Sequence, residues 1–185
     1  MHGRVGRWAI VVALLAAGCH GPVPVAGPPA AVADQTDVWF MQHMVPHLRQ
    51  VSSIAFLDRD RITRPELARL ADWITRRDQA AIDRLKGLLA LQGLAPHGHS
   101  HQKVDGRNQT DLERLSRLRG AALDLKLLEV LAARERTGIA MAATELRHGT
   151  RPEVRELARQ LLDEQRADIR QLDAWRNAWA GRARA

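Results

Sequence analysis

Thr63-Arg64-Pro65-Glu66 returns 87 residues later as Thr150-Arg151-Pro152-Glu153. The same offset lays Asp37 on Asp124, Arg49 on Arg136, Ala55 on Ala142 and Leu70-Ala71 on Leu157-Ala158. It also lays Ala80, Ile82 and Leu85 on Ala167, Ile169 and Leu172. These identities need no gap between residues 37 and 89, which marks a duplicated unit. Each copy reads as a helix pair. In the first, Phe40, Met44, His47, Val51 and Ile54 recur at 4-3-4-3 spacing, the buried stripe of a bundle helix. Ala71, Ile74, Asp78, Ile82, Leu85 and Leu89 form the next stripe, with Thr63 placed to cap that helix and Pro65 in its first turn. In the second copy the stripes are Leu127, Leu131, Arg134, Gly138, Met141 and then Leu161, Gln165, Asp168, Leu172, Trp175. Gly149 and Pro152 read as a helix stop and start. Two helical hairpins bury such stripes most simply in an all-α four-helix bundle. The bundle is expected over residues 36–182, with repeat one at 37–92, a polar His-rich loop at 93–108 and repeat two at 124–180. A short helix at 110–118 leads into the third long one.

Composition narrows the function. The 185 residues are 45% hydrophobic, enough for one domain with a core, and only 4% aromatic with no Tyr. That disfavours a β-sandwich and an aromatic platform for single-stranded nucleic acid. The formal charge of +7 falls to +5 without Arg4 and Arg7. Arginines alternate with acids, as in Arg59-Asp60-Arg61, which describes a solvated helical face. No basic block or reading motif accompanies the charge, so nucleic acid is not an expected partner. A single Cys excludes an internal disulfide and a Cys-rich zinc site.

Residues 1–18 read as a signal peptide: Arg4 and Arg7, an apolar run from Trp8 to Ala17, then small residues. Leu15-Ala16-Ala17-Gly18-Cys19 resembles a bacterial lipobox, and Cys19 is the expected lipidation site. A plain secretory signal with an incidental Cys is the alternative. Two acyl chains on Cys19 would anchor the protein to the cell membrane on its extracytoplasmic side. Residues 19–35, dense in Pro, form an extended tether between lipid and bundle.

Asp37-Val-Trp-Phe-Met-Gln-His-Met-Val-Pro-His47 resembles the D-x-x-F-x-Q-x-M-I-P-H-H signature of the bacterial domain of unknown function 305 family. Leu127 to Leu131, Gly138 to Ala142, Arg151 to Ala158 and Gln165 to Ile169 resemble its later motifs, in order, so that the likeness spans about residues 36–180. The resemblance implies a ferritin-like four-helix bundle, often exported, and metal binding, copper in some relatives, through paired His and Met. The chain departs from the pattern where metal would sit. The first His-His pair is His47-Leu48, the second is Arg134-Glu135, and the second-helix Glu is Ala81 or Asp168.

Three constellations could carry chemistry. His43 and His47, four apart on a helix with Met44 and Met41 beside them, could grip one ion, and thioethers suit Cu(I). Met at helical spacing is more commonly core packing, the reading favoured here. Pro46 is expected to kink this helix. His97, His99 and His101 alternate in the loop and could take Cu(II), Zn(II) or Ni(II), or be a solvated accident of composition. Finally, His47, Asp78, Arg134, Gln165 and Asp168 occupy stripe positions and should converge at mid-height. Arg134 either pairs there with Asp78 and Asp168 or extends to the surface. No nucleophile elbow, P-loop, dinucleotide fingerprint or H-E-x-x-H is present, so an enzyme is not expected. The first reading is an envelope-anchored binding protein for a transition metal, copper or zinc. The alternative is a structural protein that engages an envelope partner without metal.

Overall fold

The computed structural model describes residues 33–57, 59–96 and 106–182. Five α-helices account for almost all of them: α1 (Gln35–Leu57), α2 (Pro65–Ala90), α3 (Gly106–Arg117), α4 (Gly120–His148) and α5 (Pro152–Arg182). A single 3₁₀ turn, Arg59–Arg61, links α1 to α2. No strand occurs among the described residues. The four long helices are those the duplication requires. α1 packs along α2, α4 packs along α5, and α1 lies against α4. α2 and α5 touch sparingly, leaving a groove between them.

Local expectations are met unevenly. Pro65 takes the first helical position of α2, but the N-cap is Arg64, whose side chain makes no cap. Thr63 does not cap the helix; its hydroxyl and backbone N–H both donate to Asp124 of α4. α1 passes through Pro46 as one continuous helix. α3 starts at Gly106, inside the stretch expected to be loop, and α4 starts at Gly120, ahead of the repeat boundary at 124. Leu112 and Leu115 of α3 pack on the bundle, and the Arg61 guanidinium binds the carbonyls of Leu115 (2.9 Å) and Leu118 (2.6 Å) at the helix's end. A cation there complements the unpaired carbonyls.

The core is two apolar clusters stacked along the bundle. One gathers Phe40, Met41, Met44, Val45 and Leu48 of α1 with Ile82, Leu85 and Leu89 of α2, Ala142 of α4, and Val154, Leu157 and Leu161 of α5. The other gathers Val51, Ile54, Leu67, Ile74, Leu123, Leu127, Leu131, Leu172 and Trp179, with Leu115 of α3. In each long helix the positions between the clusters are polar. His47 stands between Met44 and Val51 on the α1 face, Arg77-Asp78 interrupt α2, Arg134-Glu135 interrupt α4, and Gln165 and Asp168 interrupt α5. The mid-height polar layer is therefore real, and every member is buried.

Candidate functional site

Arg77 of α2 organises the layer. Its Nη2 donates to Asp78 Oδ1 (2.8 Å) and to Glu135 Oε1 on α4 (3.1 Å), and its Nε donates to Asp78 Oδ1 (3.0 Å). Its Nη1 donates to Asp168 of α5. Glu164 Oε2 stands 3.9 Å from Nε. Ser52 of α1 offers its hydroxyl to the second oxygen of Asp78 at 3.4 Å. One guanidinium thus ties all four long helices together, directly or through Asp78, while only 7% exposed. The planar fork of Arg suits this role because its donors point in several fixed directions.

One cation cannot balance three buried carboxylates, so the layer holds protons. Burial pushes Glu135 up to about 8, against the pull of Arg77 and with the push of Asp78 and Asp168. Burial likewise raises Asp78 to about 6, moderated by Arg77, and raises Asp168. Burial opposes the charge of Arg77, yet the three acids together lift its pKa above the ordinary range. His47 is neutral at physiological pH. Burial and the charge of Arg134 lower it to about 4, although its ring donates to the Arg134 carbonyl.

A second convergence lies on the turn of α4 from 134 to 138. His47 reaches the carbonyl of Arg134, which in a helix faces the N–H of Gly138. The amide of Gln165 lies directly on Gly138, where a Cβ would stand 2.6 Å from both its terminal atoms. Glycine here is a matter of space, so that α5 can bring Gln165 against the α4 backbone. His47 Nε2, Glu135 Oε2 and both amide atoms of Gln165 have no hydrogen-bond partner among the described residues.

Arg134 follows neither of the two arrangements the sequence left open. It is buried at 8% exposure, but its Nη2 bonds Asp111 of α3 at 2.9 Å, whereas Asp78 and Asp168 belong to Arg77. Arg77 sits one position before the stripe residue Asp78 and was missed for that reason. Glu135, one position after Arg134, was missed likewise. Since α3 lies outside the repeat, the duplication could not show that Arg134 has an acid of its own.

A further set of buried charges ties the helix entries across the two hairpins. Asp37 of α1 accepts the backbone N–H groups of Thr150 (3.2 Å) and Arg151 (3.1 Å) and the Thr150 hydroxyl (3.1 Å), at the start of α5. Asp124 of α4 receives Thr63 in the same way at the start of α2. Each hairpin therefore fixes the residues that lead into the second helix of the other. The identities of Asp37 with Asp124 and of the two Thr-Arg-Pro-Glu runs were the sequence signal for this exchange. Burial works against the charge of Asp37, but bonds from Asp34, Glu145, Arg151 and Thr150 outweigh it and hold the carboxyl below its usual range. Glu145 pays the opposite way: burial, then the adjacent Asp37, raise it to about 8. Gly149 is extended (φ −68) and serves by its lack of a side chain, since a Cβ there would collide with the Glu145 carboxyl.

The metal candidates separate by burial. Met41 and Met44 are wholly enclosed in the apolar cluster and His47 is buried, so all three belong to the core. His43 is half-buried. Its Nδ1 lies 2.8 Å from the carbonyl of Trp39 and its ring stacks on the Trp39 indole at 4.6 Å. A ring nitrogen facing a carbonyl must donate, which makes Nε2 the basic atom, as in metal-binding histidines. His97, His99 and His101 lie outside the described residues, as do Cys19 and the signal and tether segments. Gln42, next to His43, donates to the Ala95 carbonyl at 3.1 Å. Among the described residues no group of three or more His, Cys, Asp or Glu is arranged to hold a metal. The bundle interior does not fit Cu(I): beside the single His47 imidazole its donors are carboxylates and an amide, its thioethers sit in the apolar cluster, and Arg77 already carries the positive charge.

A family profile described as domain of unknown function (DUF305) matches residues 37–176. No curated protein matches the sequence. Among solved structures, a DUF305 fragment from Deinococcus radiodurans shares the fold with a TM-score of 0.71 at 24% identity, covering 79% of this chain and 98% of that one. A DUF305 protein from Streptomyces coelicolor, provisionally described as secreted, gives 0.71 at 22% identity, covering 78% and 92%. CopM in its Cu(I)-bound form gives 0.66 at 22% identity, covering 79% and 99%. CopM is also known in Cu(II)-bound, silver-bound and apo forms.

Proposed function

Since the chain belongs to the DUF305 family, we propose that it is an exported binding protein for copper, loaded at the flank of α1 rather than inside the bundle. The observation that carries the reading is the hydrogen bond from Gln42 to Ala95. It holds the chain beside His43 two residues before His97, a reach of at most ~7 Å. His43, with its Nδ1 committed to the Trp39 carbonyl, is the α1 imidazole of this site. His97, His99 and His101 supply further imidazoles by chain proximity, and imidazole suits Cu(II), with Zn(II) a competitor. CopM, a fold relative, binds copper and silver, which supports the metal class. The protein's contribution is binding and orientation, and the reading assigns no catalytic group.

The reading includes export and a lipid on Cys19, which would hold the bundle at the outer face of the membrane. No described helix is long and apolar enough to cross a bilayer. Cys19→Ser should move the protein from the membrane to the soluble fraction.

Calorimetric titration of the purified protein with Cu(II) and Zn(II) tests the metal site. Binding should fall at least tenfold both in His43→Ala and in the triple variant of His97, His99 and His101 to Ala, with helicity unchanged. Full binding in both variants would overturn the site. An absence of copper binding in the parent would leave the non-metal reading, in which Arg77 has taken over the place of an ion.

A further inference from the structure

We propose that the groove between α2 and α5 is a binding site for a single-chain fatty carboxylate. The groove has a volume of about 360 Å³. Its floor is apolar, made by Ala80 and Ala81 of α2 and Leu157 and Leu161 of α5, and Trp73 stands at its rim, 47% exposed. Such a face is ordinarily covered in a four-helix bundle. Here α2 and α5 touch sparingly, with Arg77 and Glu164 standing between them at mid-height.

The charges in the groove select the ligand's sign. Arg76 and Arg84 line it and have no hydrogen-bonding or ionic partner among the described residues. They lie eight residues apart, about 12 Å along the helix. Arg77 is spent on its acids, and the one lining acid, Glu164, takes a bond from Gln160 on Oε1 (3.0 Å), while its Oε2 has no hydrogen-bond partner and stands 3.9 Å from Arg77 Nε, whose charge offsets it. The groove therefore presents two uncommitted cations beside a hydrocarbon surface, and an anion is the complement.

Size and polarity select the rest. The volume lies at the lower end for ligand pockets, room for roughly a dozen groups of ~30 Å³ each. That admits one aliphatic chain of about twelve carbons and excludes a helix or a two-chain phospholipid. An extended peptide would bring N–H and C=O groups against a floor that offers little beyond Gln160 to satisfy them, at a cost a hydrocarbon does not incur. The chain would lie along Ala80, Ala81, Leu157 and Leu161 under Trp73, with its carboxylate on Arg76 or Arg84. Arg binds carboxylates through paired N–H donors. The site is separate from the α1 flank and does not depend on copper binding.

Dodecanoate, below its micelle concentration and without copper, is the probe, with dodecanol as the neutral chain of equal length and decanoate as the shorter acid. Calorimetry on the purified protein should show dodecanoate binding at least tenfold tighter than dodecanol. Decanoate should bind about fifteenfold more weakly, from about fourfold per methylene. Ala80→Trp, at an exposed position, should fill the groove and weaken dodecanoate at least tenfold with an unchanged urea midpoint. Arg76→Gln with Arg84→Gln should abolish the preference for the acid over the alcohol. Equal binding of acid and alcohol to the parent overturns the proposal. So does undiminished binding by Ala80→Trp, or no dodecanoate binding at all, including a groove already occupied by the chain's own apolar segment.

Discussion

Arg77→Met tests whether one guanidinium holds the bundle's middle together. Methionine keeps much of the length and removes the charge. The variant leaves Asp78, Glu135 and Asp168 facing one another with no cation, two of them fully buried and Asp168 at 6% exposure. Removing one member of a buried ion network costs about 3–5 kcal/mol, most of it from the charges left behind. The carboxyls can escape by taking protons, and that escape has a pH dependence. In the parent, Glu135 already holds its proton up to about 8 and Asp78 up to about 6. Without Arg77 at least one further carboxyl must stay neutral in the folded state while it ionises in the unfolded chain. Each such proton costs ~1.4 kcal/mol per pH unit above the ordinary carboxyl value near 4. The loss should therefore be about 3–5 kcal/mol at pH 8 and shrink by up to ~1.4 kcal/mol per unit towards pH 5. Urea unfolding followed by far-ultraviolet circular dichroism at pH 5, 6.5 and 8 measures it, with Arg134→Met as the comparison. Arg134 faces the half-buried Asp111, so its loss should be smaller. A pH-independent loss in Arg77→Met, or a larger one in Arg134→Met, would refute the assignment of Arg77 as the central cation.

Asp37→Ala and Asp124→Ala should each cost about 1–3 kcal/mol, the usual range for leaving buried donors without their acceptor. The two carboxylates sit at opposite ends of the bundle, so the double variant should be additive within ~0.5 kcal/mol in urea unfolding; a larger coupling would contradict their independence. The folded-state pKa of Glu145, about 8, lies above that of an unfolded carboxyl. Its contribution is therefore fully present below about pH 4.5 and is lost as pH rises through 8, the reverse of Asp37, whose lowered pKa stabilises above its unfolded value. Glu145→Gln should flatten the fall in thermal midpoint between pH 5 and 8, and an unchanged slope would count against the raised pKa.

The duplication made the four-helix architecture readable because each helix must turn one stripe inward whatever its partners are. Stripe positions from Phe40 to Ile54 and from Ala71 to Leu89 are buried as their spacing demands. The mid-height polar layer was readable for the same reason, since His47, Asp78, Gln165 and Asp168 interrupt otherwise apolar stripes. Which charges meet was decided only in three dimensions. Arg77 and Glu135 flank the stripes, and a long side chain beside a seam can turn inward or outward at similar local cost. The choice is made by acids on other helices, whose pull on Arg77 exceeds its burial penalty. Asp111 settled Arg134 in the same manner, from a helix that the repeat does not contain. The bonds of Asp37 and Asp124 to the opposite hairpin and the groove between α2 and α5 follow from how the hairpins lie against each other. Periodicity specifies which face of a helix is buried, whereas the partner of a buried charge is fixed by long-range geometry that no single helix encodes.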